Sequence, residues 1–358
     1  IETAEFVTAA TTEKITAFLA DHPLVAGQPV STDGTMVRSS LAGRLPLVFH
    51  CCSEKAFGNT LLRTTGDEAH LARLSSAFNW NASLEGSEVE IYRTIGYAFP
   101  EPELREEIWE TRQRPDTSKL ITEADLRGIL HNHSTWSDGT HSLEVMARYC
   151  QELGYEYLGI CDHSRSAFYA NGLSIERVAE QHKEIEALNK KLAPFRILKG
   201  IESDILTDGS LDYPDEILDT FDLVVASVHS VLKMDETKAT ARLIRAVEHP
   251  ATTILGHPTG RLLLSRPGYP IDHRKVIDAC AANDVIIELN ANPYRLDIDW
   301  RWIPYALDKG VMISINPDAH RKEGYHDMHF GVRAARKGGL TKEMTFNALL
   351  LVELEKRL

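Results

Sequence analysis

Seven short apolar segments recur along the C-terminal two thirds of the chain, and this rhythm constrains the fold more than any other feature of the sequence. The segments cover residues 126–130, 157–160, 197–201, 223–228, 253–255, 285–289 and 311–315. Amphipathic helical patterns lie between most of them, over residues 142–153, 174–192, 238–248 and 273–282. Continuous apolar strands that alternate with helices are typical of a parallel sheet covered on both faces. Seven such units predict a barrel-like α/β fold rather than a sandwich.

Histidines and carboxylates follow six of the seven apolar segments. In a parallel barrel the C-terminal ends of all strands lie on one rim, where active sites are built. The sequence therefore predicts that nine metal-binding side chains share this rim. In chain order they are His131, His133, Asp138, His163, Glu202, His229, His257, Asp318 and His320.

These residue types suit divalent metal ions. His131 and His133 are two residues apart, so on a strand their side chains point to the same side. Nine ligands are enough for three ions with about three protein ligands each, which leaves coordination positions for water and substrate oxygens. Three divalent ions and three carboxylates would leave a net charge of about +3, which suits a phosphate. Such ligands accept Zn²⁺, Mn²⁺ or Fe²⁺, and the sequence does not choose among them.

Composition narrows the class of protein. The chain has 358 residues, 43% of them hydrophobic and 25% charged, as in globular proteins that keep a core. The net charge of −13 argues against a broadly basic nucleic-acid-binding surface. No apolar run approaches the length that spans a bilayer, so no membrane partner is expected. Five cysteines without a Cys-x-x-Cys pair, and no signal-peptide pattern, favour the cytoplasm, and the start at Ile1 suggests a trimmed chain or fragment.

The motifs around these ligands resemble one enzyme family. The segments at residues 131–139, 161–163, 200–202, 227–229, 256–258 and 318–320 are similar to those of the PHP (polymerase and histidinol phosphatase) family. His257–Arg261 and Glu288–Pro293 resemble more narrowly the PHP domain that ends bacterial X-family DNA polymerases. The resemblance implies that residues 126–358 form a distorted (β/α)7 barrel with a trinuclear metal site.

The resemblance also implies roles for individual residues. One ion would be held by His131, His133, Glu202 and Asp318, a second by Glu202, His229 and His257, and a third by Asp138, His163 and His320. The residues expected to act in catalysis are His131, His133, Glu202, Asp318 and His320. Arg261 and Arg295 follow rim segments and are candidates either for binding substrate phosphate or for surface salt bridges. Asp162 and Asp204 are expected to support ligands rather than to bind metal.

The N-terminal part resembles the same polymerases with losses. Residues 1–48 are similar to the palm, residues 49–108 to the thumb, and residues 109–125 to a linker, the stretch from Pro100 to Thr117 suiting a linker or an exposed helix. Thr3, Glu5 and Pro46 stand where the family keeps three metal-binding Asp residues. The palm is therefore expected to be a remnant that does not polymerise DNA.

Three functions are compatible with the sequence. The first is a metal-dependent phosphoesterase on DNA 3′ ends, acting as a 3′–5′ exonuclease or 3′-phosphatase in DNA repair. The second is a phosphatase for a phosphorylated small molecule, of the histidinol phosphatase type, which the acidic net charge favours. The third is a scaffold with a structural metal cluster, which a ligand set that leaves open coordination positions disfavours. The oligomeric state is not predicted.

Overall fold

The chain divides into two units, Ile1–Thr117 and Ser118–Leu358, in a computed structural model that describes residues 3–42 and 45–358. The division falls inside the segment predicted to be a linker.

Within its described residues, the N-terminal unit contains a four-stranded sheet and five α-helices. The strands are β1 (Ala4–Thr8), β2 (Val30–Thr32), β3 (Met36–Ser40) and β4 (Pro46–Cys51), in the order β1-β4-β3-β2. β1 is parallel to β4, and the other pairs are antiparallel. The helices are α1 (Thr12–Ala20), α2 (Phe57–Thr65), α3 (Glu68–Phe78), α4 (Glu88–Thr94) and α5 (Glu107–Thr111).

The three positions that the resemblance aligns with the metal-binding Asp residues of the palm lie close together at this sheet. Thr3 and Glu5 flank Ala4, which pairs with Leu47 beside Pro46. The only carboxylate of the three, that of Glu5, lies 2.9 Å from Nε2 of His50. Strand β4, which contains Pro46 and His50, continues to Cys51, so the sheet extends beyond residue 48.

The stretch from Pro100 to Thr117 is not the exposed segment that its prolines and charges suggest. Leu104 and Trp109 are buried, and the side chain of Arg105 has no exposed surface. Its guanidinium pairs with the carboxylate of Glu88 and lies 5.3 Å from the ring centroid of Tyr92. Part of the stretch expected to be a linker or an exposed helix is therefore buried, because a charged residue with both an ionic and an aromatic partner can leave water.

The C-terminal unit confirms the predicted parallel barrel. Seven strands pair in chain order, every pair parallel: β5 (Gly128–Ile129), β6 (Tyr157–Ile160), β7 (Arg196–Asp204), β8 (Leu223–Ser227), β9 (Ile254–Leu255), β10 (Ile286–Asn290) and β11 (Ile313–Asn316). The helices are α6 (Leu143–Glu152), α7 (Ile175–Leu192), α8 (Asp215–Leu218), α9 (Glu236–Val247), α10 (His273–Ala282), α11 (Ile303–Asp308), α12 (Met328–Lys337) and α13 (Leu351–Leu354). Within the described ranges, no helix is both long and apolar enough to cross a membrane.

The barrel closes between its first and last strands through two devices other than a regular strand ladder. Asn132 and Ala319 form an isolated parallel bridge just beyond the ends of β5 and β11. Below it, the buried side chain of Asn347 donates to the carbonyl oxygens of Gly128 (3.1 Å) and Ile315 (2.8 Å). Its Oδ1 accepts from the backbone N–H of Ile315 at 3.0 Å. One amide therefore satisfies edge groups of both strands that would otherwise be buried without partners.

Replacing Asn347 with Leu should open this seam. Leu keeps a similar shape but leaves three buried backbone groups unpaired, at about 1–3 kcal/mol for each. We expect the free energy of unfolding to fall by about 3–5 kcal/mol in denaturant titrations, since some groups will find water. Asn283→Leu, at the exposed end of α10, is the control and should change stability by about 0.5 kcal/mol or less. Equal effects of the two substitutions would contradict the role of Asn347 in closing the barrel.

Candidate metal centre

The structure brings all nine predicted ligands together at the C-terminal ends of the strands. The ligand atoms form four groups. Within each group the atoms lie within 4.8 Å of one another, and each of the nine residues belongs to at least one group. The groups are His133, Asp138, His163 and His320; His131, His133 and Asp318; His131, Glu202 and His257; and His163, Glu202 and His229. The predicted convergence on one rim is therefore present in the fold.

Glu202 occupies the middle of the cluster. Its side chain is 1% exposed, and five of the six imidazoles lie within 3.6 Å of its carboxylate. The distances to Oε1 are 3.2 Å from His131, 3.1 Å from His229 and 3.0 Å from His257, and those to Oε2 are 2.9 Å from His163 and 3.6 Å from His133. With both oxygens facing different imidazoles, this carboxylate is placed to bridge two ions.

Asp318 and Asp138 surround the other side of the cluster. Oδ1 of Asp318 lies 3.1 Å from Nε2 of His133 and 3.7 Å from Nε2 of His131. Oδ1 of Asp138 lies 3.4 Å from Nε2 of His320 and 3.7 Å from Nε2 of His163. Asp138 and His320 are also the most exposed members, at 34% and 38% of their side chains, so the cluster opens to solvent on this side.

The three ligand sets implied by the resemblance agree with these neighbours except in one respect. His229 and His257 both approach Oε1 of Glu202, as the second set requires. The closest groupings, however, join His229 to His163 and join His257 to His131. Glu202 belongs to both groupings, so under either division of the ligands it would be shared between two ions.

The donor atoms fit divalent cations. Nε2 of His131 and Oε2 of Glu202 are buried and have no hydrogen-bond partner among the described residues. Burial opposes the charged form of His131, but Glu288, Glu202 and Asp318 raise its pKa well above the usual range. Burial and the neighbouring His320 and His163 lower the pKa of His133 to about 3. The carboxylates favour a nearby positive charge, whereas the imidazole of His133 favours its neutral form. Metal ions meet both conditions, because they carry positive charge and bind neutral imidazole.

The backbone turns His131 and Asp318 into the site by an uncommon route. β5 ends at Ile129, so the alternation of an extended strand does not place His131 and His133. Instead His131 has φ +60° and Asp318 has φ +52°, and these residues flank the bridge between Asn132 and Ala319. Such left-handed residues cost about 1–3 kcal/mol and persist where the surroundings hold them, commonly at functional sites.

The carboxylate of Glu288, to which the sequence motifs gave no role, lies behind His131. Glu288, inside β10, accepts from Nδ1 of His131 at 2.6 Å and from Nδ2 of Asn290 and Asn316 at 3.0 and 2.9 Å. The backbone N–H of His257 donates to it at 3.1 Å. Glu288 therefore orients one ligand side chain and one ligand backbone. The sequence did carry one signal for Glu288, a single charged residue inside an apolar strand. Since a carboxylate is buried only together with partners, such a residue indicates a polar contact within the fold.

Asp204 and Asp162 support ligands, as expected. Asp204 accepts from Nδ1 of His229 at 2.5 Å, which turns Nε2 of that ring toward Glu202. Asp162 is fully buried and accepts from the backbone N–H groups of Ser134 and Ser137 at 2.8 and 3.1 Å. It thereby shapes the loop that carries His133 and Asp138.

The two candidate substrate arginines have different surroundings. Arg295 lines the open side of the cluster, with Nε 3.5 Å from Oδ2 of Asp318. Arg261 instead donates to the carbonyl oxygens of Arg295 (2.9 Å) and Leu296 and pairs with Asp299 at 2.8 Å. The guanidinium of Arg261 is thus occupied within the protein and fixes the loop that presents Arg295, so the structure does not support a direct contact between Arg261 and substrate.

A cavity of about 350 Å³ adjoins the cluster beside Asp318 and His320. The rest of its wall is formed by Leu262, Leu263, Ser265, Asn292, Tyr294 and Arg295. One side of the cavity therefore carries metal-binding groups and a cation, and the other side carries apolar and aromatic groups.

Glu288→Gln should weaken metal binding without removing a proposed ligand. The neutral amide cannot stabilise the orientation of His131 as the carboxylate does, and losses of such supporting groups cost about 10- to 100-fold in metal affinity. Titration calorimetry with Zn²⁺ or Mn²⁺ should show this loss at one class of sites. Glu248→Gln, on the exposed end of α9, removes the same charge and should leave affinity unchanged. Wild-type affinity in Glu288→Gln would refute the supporting role.

Comparison with known proteins agrees with this geometry. Residues 130–292 match the PHP domain family. The chain is 44% identical to the DNA polymerase/3′-5′ exonuclease PolX of Bacillus subtilis over 269 residues, which are 75% of this chain and 47% of that protein. It is 27% identical over 216 residues to a "probable phosphatase" of Thermoanaerobacter sp. strain X514, covering 54% of this chain and 85% of that one.

A solved structure is similar in part. It is histidinol phosphate phosphatase from Lactococcus lactis, complexed with zinc, L-histidinol and phosphate. The identity is 17%, with a TM-score of 0.47 over 60% of this chain and 94% of that one. The match to the B. subtilis protein covers most of this chain but only about half of the B. subtilis protein. Residues 130–292 of the C-terminal unit, which carry seven of the nine candidate ligands, match the PHP domain family, and Asp318 and His320 follow the matched range.

Proposed function

We propose that this chain is a metal-dependent phosphoesterase that hydrolyses phosphodiester or phosphomonoester bonds at DNA 3′ ends, as a 3′–5′ exonuclease or 3′-phosphatase in DNA repair. The observation that carries the proposal is the convergence of five imidazoles on the buried carboxylate of Glu202. A DNA substrate is supported by the 44% identity to the B. subtilis polymerase/exonuclease.

We propose three divalent ions, Zn²⁺, Mn²⁺ or Fe²⁺ by ligand chemistry, held by the nine residues of the cluster. Bound there, such ions would supply Lewis acidity toward a phosphoryl group and a water activated for in-line attack. Glu202 would share its two oxygens between neighbouring ions. Glu288 and Asp204 would keep the rings of His131 and His229 in the tautomer that presents Nε2.

Other residues of the chain would handle the substrate. Arg295, on the cavity wall, is placed to bind a phosphate oxygen by a charge-assisted hydrogen bond. His320 is the most exposed imidazole of the cluster and borders the same cavity, so it would face the side from which substrate enters. The leaving 3′ oxygen would take a proton from a rim histidine or from water.

A small-molecule phosphatase is the second candidate. The net charge of −13 favours it, because long-range attraction for a DNA backbone is weak in an acidic chain. The N-terminal unit, which resembles palm (1–48) and thumb (49–108) segments joined by residues 109–125 to the barrel at 126–358, disfavours it. Rates measured on a 3′-recessed oligonucleotide and on histidinol phosphate separate the two functions, and a higher specificity constant on histidinol phosphate would reject DNA as the substrate.

Glu202→Gln tests the metal-dependent reaction. Protein purified without chelator should contain two to three divalent ions, and EDTA should abolish hydrolysis. Gln removes a negative charge placed between the ions, so at least one ion should dissociate and activity should fall by at least about 100-fold, while far-ultraviolet circular dichroism is unchanged. Glu248→Gln serves as the matched control. Full activity with one ion or none, unaffected by EDTA, would overturn the proposal.

The chain should not extend a primer. Thr3 and Pro46 cannot bind Mg²⁺ as carboxylates do, and the Glu5 carboxylate lies beside His50, so nucleotidyl transfer lacks its two-metal site. Primer extension with dNTPs and Mg²⁺ or Mn²⁺ should match a no-enzyme reaction. Template-directed extension by the purified chain would show that the palm positions are misassigned.

A further inference from the structure

Two exposed tyrosines stand on loops at different sides of the metal cluster. Tyr169 follows β6 and is 72% exposed, and Tyr294 follows β10 and is 68% exposed. Around the barrel, β6 and β10 are separated by β7, β8 and β9 in one direction and by β11 and β5 in the other. Loops after these strands therefore rise on different sides of the barrel mouth, with the metal-binding residues between them.

Both rings lie next to proposed ligands. The ring of Tyr169 is 6.3 Å from that of His163, measured between centroids. Tyr294 shares the 350 Å³ cavity with Asp318, His320 and Arg295. Single exposed aromatic residues are common on protein surfaces, but here two of them border the same cluster from two sides.

The loop that carries Tyr169 is held in place. The buried Ala167 and Ala170 anchor the turn, and the N–H of Leu173 closes it by donating to the carbonyl oxygen of His163 at 2.8 Å. Phe168, beside Tyr169, is 88% exposed. An anchored turn that exposes large apolar side chains to water loses the favourable free energy of burying them. A ligand that covers these side chains regains this free energy on binding.

The loop that carries Tyr294 is held as firmly. Its carbonyl oxygen accepts from the N–H of Leu263 at 2.6 Å, and Arg261 binds the next two carbonyl oxygens. Leu264, at the tip of the adjoining turn, is 96% exposed with φ +64°. Bulky residues rarely adopt this conformation, so the turn maintains an apolar tip at a cost to folding.

We infer that Tyr169 and Tyr294 determine substrate specificity by stacking on the two nucleosides on either side of the phosphodiester that is hydrolysed. This inference rests on the proposed function. A flat aromatic face binds every nucleobase with similar strength and needs no positive field, which matches an acidic chain. Arg295 would hold the phosphate between the two bases. A 3′-terminal phosphate has a nucleoside on one side only, so its removal would use one tyrosine, whereas exonuclease action would use both.

Alanine variants and abasic substrates test the inference together. The substrates are a single-stranded oligonucleotide and two copies of it, one lacking the terminal base and the other lacking the penultimate base. Tyr169→Ala and Tyr294→Ala should each lower kcat/KM by about 5- to 150-fold on the intact oligonucleotide, the range for one stacked base. Each loss should disappear on one abasic copy, and on a different copy for each tyrosine.

Three controls accompany these variants. Tyr169→Phe and Tyr294→Phe keep the ring and should retain activity within about threefold. Leu153→Ala removes an apolar side chain, 39% exposed, at the opposite end of the barrel and should have no effect. Fluorescence anisotropy with 5′-labelled single-stranded DNA in EDTA should show weaker binding for both alanine variants, independently of metal-supported turnover.

Two failures are distinguishable. If the wild-type chain does not shorten oligonucleotides, this inference falls, and the proposed function falls with it only if the chain also fails to remove a 3′-terminal phosphate. If the wild-type chain does shorten them, but the alanine variants lose equal activity on intact and abasic oligonucleotides, stacking is refuted and the exonuclease proposal stands. Coupling of both tyrosines to the same base would also overturn the inference, because it requires one ring for each flanking nucleoside.

Discussion

The burial of the Glu202 carboxylate is the constraint on which the rest of the C-terminal unit depends. An ionised carboxylate with 1% exposure is unfavourable unless nearby groups supply positive charge or hydrogen bonds. Its oxygens meet imidazoles that follow β5, β6, β8 and β9, so no two neighbouring strands could supply them alone. A parallel sheet that curves into a barrel brings all these strand ends to one mouth. The burial of this carboxylate therefore depends on the curvature of the barrel.

The seam between β5 and β11 is where this requirement is hardest to meet. His131 and Asp318 lie on either side of the seam, and both adopt left-handed backbone conformations. The Asn132–Ala319 bridge joins the strands at that level, and the Asn347 amide joins them below it. Hydrogen bonds at the seam thus offset the strain that turns two ligands inward. A looser seam would separate the first and last ligands of the cluster.

Much of this arrangement could be predicted from the chain alone. Continuous apolar segments identify the seven strands because both faces of the sheet are buried, and a polar residue directly after such a segment must lie at the barrel mouth. Glu288 was not predicted because it lies inside its strand rather than after it. Asn347 was missed because its partners are distant in sequence, and an asparagine in a short turn carries no signal of closing a barrel. The burial of Arg105 was missed since its partners Glu88 and Tyr92 are 17 and 13 residues away.

The positions that sequence patterns miss share a physical reason. Ligands are recognised because metals accept few side-chain types, so His, Asp and Glu leave a chemical signature. Residues that orient ligands or substrate need only a fitting shape and partner, which a tertiary contact supplies. Arg261 illustrates the difference, since its charge suggests phosphate binding but its three contacts place it beneath the loop of Arg295. In such a barrel the reactive residues lie at the strand ends, where the sequence pattern locates them. The choice of substrate depends on loops, whose conformation is known only from the folded structure. Under the proposed function, the attraction for an acidic substrate would be confined to the metal-binding mouth and the aromatic loops around it, so an acidic chain would act on DNA.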